Sequence, residues 1–228
     1  MYAHDLIFIA ELIGIIAFAI SGVLVAIEHG LDAFGAVVLG TTTAVGGGMV
    51  RDITVGHTPP LVFTNPIYAL LAVVISLAVF FLAYFLGNRV NLRSPLLMRI
   101  VNVFDAIGLA IFVTVGVDAA LAGEMGNNAF LAIFLGTVTG VGGGVIRDLF
   151  AATVPAIFRK HIYASAAILG AAIYYFSAKA GAPVLLSLLA TVAAVVIIRM
   201  LATHYRWNLP RVSLSQSSRE TPPTPPKS

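Results

Sequence analysis

The chain has 228 residues, of which 59% are hydrophobic and only 10% are charged, and its formal net charge is +3. A soluble domain carries roughly 25% charged residues, so the composition excludes that class and indicates an all-α integral membrane protein. There is no cysteine, which excludes disulfides, thiol catalysis and cysteine-based metal sites. The basic residues lie mostly in predicted loops and in the tail, so the positive charge does not predict nucleic-acid binding.

Hydropathy predicts seven transmembrane helices, each of about 20 residues as a bilayer requires. The predicted spans are residues 6–27, 33–55, 66–86, 99–121, 129–150, 161–178 and 184–201. The first span has neither the positive region nor the cleavage site of a signal peptide, so we expect it to be retained. Residues 1–207 therefore form one predicted membrane domain.

The composition changes after Trp207. Residues 208–228 are rich in Pro, Ser and Thr, and such a segment cannot bury enough apolar surface to fold, so we expect a disordered tail. Lys and Arg are concentrated after the third, fifth and seventh spans, which predicts an outside N-terminus and a cytoplasmic C-terminus. The residues that carry this orientation are Arg89, Arg93, Arg99, Arg159, Lys160, Arg199, Arg206 and Arg211.

One motif occurs twice, each time near the end of a predicted span. Residues 45–52 read Val-Gly-Gly-Gly-Met-Val-Arg-Asp, and residues 141–148 read Val-Gly-Gly-Gly-Val-Ile-Arg-Asp. Each helical glycine costs about 1 kcal/mol relative to alanine, and charges beside hydrocarbon are costly as well. We therefore predict that spans two and five are broken at these triplets and that each break forms part of a functional site. The glycines are Gly46, Gly47, Gly48, Gly142, Gly143 and Gly144.

The repeat extends beyond the motif, because residues of the first span recur at the same spacing in the fourth. The matched residues are Glu11, Gly14, Phe18 and Gly22 in the first span and Asp105, Gly108, Phe112 and Gly116 in the fourth. Since each repeat has three spans, the second copy enters the membrane from the opposite side. The predicted fold is therefore two inverted repeats, at about residues 5–86 and 99–178, with a seventh helix at 184–201. Such repeats place a permeation or binding site at their interface.

The broken helices could bind an ion in two ways. Freed backbone carbonyls can replace part of a cation's hydration shell, whereas the N-terminal end of a resumed half-helix can hold a carboxylate. The alternative is that the glycines only allow close helix packing. Nearby hydroxyl groups are candidate additional ligands; they belong to Thr41, Thr43, Thr137 and Thr139.

Each motif ends in adjacent charged residues, Arg51-Asp52 and Arg147-Asp148. Adjacent residues do not face each other on a helix, so we expect each arginine to have a partner elsewhere. The predicted topology brings Glu11 close to Arg51 and brings Asp105 close to Arg147. The alternative is that each arginine extends to the lipid headgroups.

The sequence has no clustered metal ligands, nucleophilic triad or phosphate-binding loop. The Gly-Gly-Gly-x-x-Arg-Asp motif lacks the Lys-Ser/Thr end of a P-loop. We therefore predict neither an enzyme nor a bound metal or cofactor.

With these motifs, the sequence resembles the prokaryotic members of the TRIC family. They are homologues of the trimeric intracellular cation channels and are also catalogued as a bacterial membrane domain of proposed glycine-transporter function. The resemblance covers about residues 5–202. It implies a homotrimer in the bacterial or archaeal cell membrane, each protomer holding its own pore for monovalent cations, chiefly K⁺. Animal members carry a Lys-Glu-Val motif that binds phosphoinositides. That tripeptide is absent here, so lipid regulation is not expected to carry over.

Three functions remain open at this point. The first is a K⁺-permeable channel, the second is a transporter of a small amino acid such as glycine, and the third is a non-conducting membrane scaffold. Broken helices in inverted repeats serve both channels and carriers, so the sequence does not separate the first two.

Overall fold

The computed structural model describes residues 2–86, 95–123, 126–159 and 161–205. Within these ranges the chain forms nine α-helices and no strand. Seven helices are long, and two helices of four residues follow the motif-bearing ones. In chain order they are α1 Tyr2–Glu28, α2 Ala33–Thr54, α3 Leu61–Thr64, α4 Pro66–Leu86, α5 Pro95–Ala122, α6 Ala129–Phe150, α7 Ala156–Arg159, α8 His161–Lys179 and α9 Val184–His204.

The seven long helices lie at the seven predicted spans, and the chain is a membrane protein. Counting only residues that the structure describes, six of them, all but α8, are long and apolar enough to cross a membrane. Helix α8 has 19 residues, including Tyr163, Tyr174, Tyr175 and Lys179, and these polar groups lower its hydropathy. The three tyrosines are buried, because α8 packs against α5, α6 and α9. Span six therefore remains a prediction.

Some predictions concern residues outside the described ranges. They are the disordered tail at residues 208–228 and the orientation residues Arg89, Arg93, Lys160, Arg206 and Arg211.

Helices α1 and α5 pack together in opposite directions. The rings of Phe18 and Phe112 stack with their centroids 5.2 Å apart and an interplanar angle of 12°. A β-carbon at Gly14 would contact Phe112, and one at Gly108 would press against Phe18. Because each ring lies against the glycine of the partner helix, the matched residues of the two halves form one reciprocal contact.

Helices α2 and α6 cross at the glycine triplets, and both run through them without interruption. The predicted breaks are therefore wrong. A β-carbon at Gly47 would clash with the carbonyl oxygen of Thr139, and one at Gly143 would clash with the carbonyl oxygen of Thr43. Close approach of the two helices thus needs glycine at both positions. This helix–helix contact offsets the poor helix propensity that suggested a break.

The two motif-bearing helices also begin in the same way. The side chain of Asp32 accepts a hydrogen bond from the Gly35 amide at 2.8 Å, and that of Asn128 accepts one from the Leu131 amide at 3.0 Å. Such N-caps accept hydrogen bonds from backbone amides of the first turn, which have no partner within the helix. The halves therefore share a cap, a triplet and a terminal Arg-Asp.

Candidate functional site

The first charge cluster surrounds Arg51 near the end of α2. Its Nη1 donates to Oε1 of Glu11 at 2.8 Å, and its Nε donates to Oδ1 of Asp52 at 2.8 Å. The predicted pair with Glu11 is thus present. Arg51 is only 4% exposed, so it does not extend to the headgroups.

The second charge cluster surrounds Arg147 near the end of α6. Its Nη1 donates to Oδ1 of Asp105 at 2.6 Å and to the hydroxyl of Ser21 at 2.7 Å. Arg147 and Asp105 are buried, and this predicted pair is present as well. Because Ser21 belongs to α1, the cluster joins both halves of the chain.

The expectation that adjacent Arg and Asp residues do not pair is wrong in both motifs. Arg147 donates from Nε and Nη2 to Oδ1 of Asp148 at 2.9 and 2.8 Å, as Arg51 does from Nε to Asp52. The rule concerns the directions in which adjacent side chains leave the helix. A long arginine side chain can bend so that its guanidinium reaches the neighbouring carboxylate.

The second oxygen of each motif aspartate holds the chain that follows. Oδ2 of Asp52 accepts from the amide of Leu61 at 2.8 Å, and Oδ2 of Asp148 accepts from the amide of Ala156 at 2.7 Å. Leu61 and Ala156 are the first residues of α3 and α7. Each aspartate therefore bonds both to the arginine of its own motif and to the first residue of the short helix that follows.

Arg199 is a member of the second cluster that sequence reasoning missed. It is one of the basic residues on which the predicted orientation rests, but it lies inside α9 and is 4% exposed. Its Nη2 donates to Oδ2 of Asp105 at 2.9 Å, and its guanidinium carbon lies 4.2 Å from the ring centre of Tyr163. A signal was available, because the buried polar residues Ser187, Thr191 and Arg199 recur on one face of α9.

The four threonines that were candidate ion ligands lie in different surroundings. The hydroxyls of Thr43 and Thr139 donate to carbonyls one turn earlier in their own helices, both at 2.6 Å. Thr137 does the same at 2.7 Å. The Thr41 hydroxyl is buried and has no partner among the described residues. Thr43 and Thr139 are fully buried, so these two lie in the packed interior.

A cavity leads from the surface to the first triplet. Its wide part, about 520 Å³, is lined by the first cluster, by the exposed His57 and by Asp118. A narrower part of about 20 Å³ shares Glu11, Arg51 and Asp52 with it and reaches Gly48 and Phe112. The narrow part has space for about one water molecule. We call the two parts together the funnel, because they share Glu11, Arg51 and Asp52, and Phe112 lines the narrow part.

The two charge clusters lie at different depths. Helix α1 supplies Glu11 to the first and Ser21 to the second, and ten helical residues span about 15 Å. The aromatic stack lies between these residues on α1. Within the described ranges, no group of three or more His, Asp or Glu residues could hold a metal ion.

Comparison with known proteins assigns the family. The family model described as "Glycine transporter" matches residues 8–84 and 102–179, which correspond to the two halves of the chain. The inner membrane protein YadS of Escherichia coli K12, a UPF0126 protein, is 37% identical over 94% of this chain and 100% of its own length.

Solved structures agree with this assignment. A prokaryotic TRIC channel crystallised in 0.5 M KCl is 36% identical, with a TM-score of 0.79 over 92% of this chain and 100% of that one. The trimeric intracellular cation channel orthologue of Rhodobacter sphaeroides is 32% identical, with a TM-score of 0.78 over 89% of this chain and 99% of that one. The chain belongs to the prokaryotic TRIC family, which the "Glycine transporter" model also describes, and the resemblance noted in the sequence is confirmed.

Proposed function

We propose that the protein is a channel for monovalent cations, chiefly K⁺, with one pore in each protomer of a homotrimer. The observation that carries the proposal is the funnel, whose narrow part reaches Gly48 of α2. Three carboxylates line it against one guanidinium, and such a cleft concentrates cations. The solved TRIC channels, described as cation channels, support the same activity.

Because α2 and α6 are continuous, the glycine triplets cannot bind a cation through free carbonyls in this conformation. In an unbroken helix the carbonyls are hydrogen-bonded and cannot replace a cation's water shell. Three successive glycines lower the cost of unwinding, and the space beside Gly48 leaves room for it. We take the described conformation to be closed, with the narrow space of about 20 Å³ beside Gly48 and Phe112 as its constriction.

The reciprocal packing of α1 with α5 and of α2 with α6 supports an inverted repeat. In the proposed arrangement the N-terminus lies outside the cell and the C-terminus in the cytoplasm. The structure of a trimeric TRIC orthologue supports assembly as a homotrimer, and light scattering in mild detergent would test it. A mass near that of one 23.9 kDa chain would contradict the trimer.

The decisive test uses purified protein in liposomes and a substitution in the funnel. Gly48→Ala fits without a clash, since the nearest atom to the added methyl is Nη2 of Arg51 at 3.9 Å. It also favours the helix by about 1 kcal/mol. We expect K⁺ flux and unitary currents from the wild-type protein, and reduced flux with undiminished thermal stability from Gly48→Ala.

The matched control is Gly35→Ala, in the first turn of the same helix and away from the cavity; its flux should equal that of the wild type. Absence of cation current in the wild-type protein would refute the channel. An unchanged flux in Gly48→Ala would exclude Gly48 from the pore.

A second candidate is a glycine transporter, because the family model of that description matches both halves of the chain. A carrier would show saturable glycine uptake with counterflow and no unitary currents. The same liposomes therefore distinguish the two functions.

A further inference from the structure

Two charged residues break the symmetry between the halves. At the spacing that matches Glu11 with Asp105, the position of Asp118 in α5 corresponds to the apolar Leu24 in α1. Arg199 lies in α9, outside both repeats. Asp118 lines the cavity beside Glu11, and Arg199 belongs to the buried second charge cluster.

Asp118 adds negative charge to the cavity at the Glu11 end. It is half-buried and lines the wide part of the funnel, where its Oδ1 accepts a hydrogen bond from the hydroxyl of Tyr174 at 3.0 Å. None of the ion pairs among the described residues includes Asp118. With His4 and His57 neutral, the lining of this cavity carries a net charge of −2.

Arg199 removes negative charge at the Asp105 end. There, Asp105 and Asp148 face two guanidinium groups, those of Arg147 and Arg199, so this cluster is neutral. Without Arg199 it would carry a charge of −1, as the triad of Glu11, Arg51 and Asp52 does. Nη1 of Arg199 is buried and unpartnered within the described part of the chain, and the hydrogen bond to Asp105 comes from Nη2.

We propose that Asp118 and Arg199 make the cation pathway rectify, so that cations enter more readily from the Glu11 end than from the Asp105 end. Negative charge at a mouth raises the local cation concentration and the entry rate, and the two ends differ in charge. The inference rests on the proposed cation-channel function.

The test measures single-channel currents in planar bilayers with KCl at about 0.1 M on both sides, where the Debye length is about 10 Å. The direction of flow is assigned in a His57→Cys background. The chain has no other cysteine, so an impermeant thiol reagent blocks only from the Glu11 end. We expect the wild-type protein to pass more current from that end at equal and opposite voltages.

The two substitutions should reduce rectification in opposite ways. Asp118→Asn should lower the current that enters from the Glu11 end by about twofold, the effect of one unit charge at several ångströms in water. Arg199→Met should raise the current that enters from the Asp105 end. Both bring the current ratio closer to one, while total conductance falls in the first variant and rises in the second.

Charge-conserving variants and salt separate charge from structure. Asp118→Glu and Arg199→Lys should keep the wild-type ratio. At about 1 M KCl the Debye length falls to about 3 Å, and the effect of Asp118→Asn should shrink accordingly. A general structural defect would change the currents in both directions together.

The result that overturns the inference is a conducting wild-type protein whose current ratio stays the same in Asp118→Asn. Asp118 lies at a cavity and asparagine has nearly the same shape as aspartate. Asp118→Asn therefore tests the rectification even where Arg199→Met does not fold. A wild-type protein without any cation current would instead refute the proposed channel itself.

Discussion

At the scale of single residues, burial decides what the motif arginines contribute. Arg51, Arg147 and their carboxylate partners are each less than a tenth exposed. Removing one member of such a pair leaves an uncompensated charge in a poorly solvated place, which typically costs about 3–5 kcal/mol. Removing the arginine together with Glu11 or Asp105 costs less than removing the arginine alone, because one fewer carboxylate loses its partner; the motif aspartate loses its guanidinium in both cases.

We therefore expect a large coupling free energy between Glu11 and Arg51. Arg51→Ala should destabilise the protein more than the double variant Glu11→Gln with Arg51→Ala. The measurement is a double-mutant cycle on unfolding in detergent. A coupling within about 0.5 kcal/mol of zero would show that the two side chains act independently.

The cycle on Asp105 and Arg147 should give a smaller coupling. The double variant Glu11→Gln with Arg51→Ala leaves one buried charge, Asp52, without its ion pair. The double variant Asp105→Asn with Arg147→Ala leaves two, Asp148 and Arg199. Adding Arg199→Met to that double variant should recover stability. Equal couplings in the two halves would mean that Arg199 contributes little to holding Asp105.

Residue-scale contacts were predictable where the repeat constrained them. The doubled spacing and the predicted topology placed Glu11 beside Arg51 and Asp105 beside Arg147. Helix α9 lies outside both repeats, so the repeat predicts no partner for Arg199. Its position near the end of an apolar run predicts only a residue at the membrane surface. Which face of a helix is buried depends on the helices that pack against it, and a single sequence does not show which helices those are.

At the scale of helices, the glycine triplets act through the crossing of α2 and α6. The positions of the spans were predictable because hydropathy and helix length follow from the bilayer. The continuity of α2 and α6 was not predictable, because helix propensity is a weak local preference that tertiary contacts override. Gly47 and Gly143 are where those contacts are closest.

A prediction for the stability of the protein follows from that crossing. Gly47→Ala should destabilise the protein by about 1–3 kcal/mol, because the added methyl forces the backbone apart at the Thr139 carbonyl. Gly48→Ala, the neighbouring glycine with free space, should be neutral or stabilising. Thermal unfolding in detergent compares them. Equal melting temperatures would show that the crossing tolerates an alanine at position 47.

At the scale of the whole molecule, the charge distribution predicts the orientation in the membrane. The chain has no cysteine, so single introduced cysteines report their side without background. Gly126 is a poor site, since an added β-carbon would crowd the Leu121 carbonyl. Ala180 and Glu28 are exposed at helix ends and suit the purpose.

We expect Ala180→Cys to react with an impermeant thiol reagent from outside intact cells. Glu28→Cys should react only after permeabilisation, because one span separates its loop from an outside N-terminus. The reverse pattern would overturn the proposed orientation. Labelling of both sites from outside would contradict the alternation of the spans.

The charge pairs also bear on how such a chain could have arisen. Each half contains both members of its own ion pair, Glu11 with Arg51 and Asp105 with Arg147, and the first half also supplies the Ser21 hydroxyl to the second cluster. The contacts between the halves, Gly14 on Phe112 and Gly108 on Phe18, are those of two like units facing in opposite directions. An ancestor of half this length could therefore have assembled as an antiparallel homodimer whose subunits inserted into the membrane in both orientations. Gene duplication would then have fixed one copy in each orientation and left each free to acquire charges of its own.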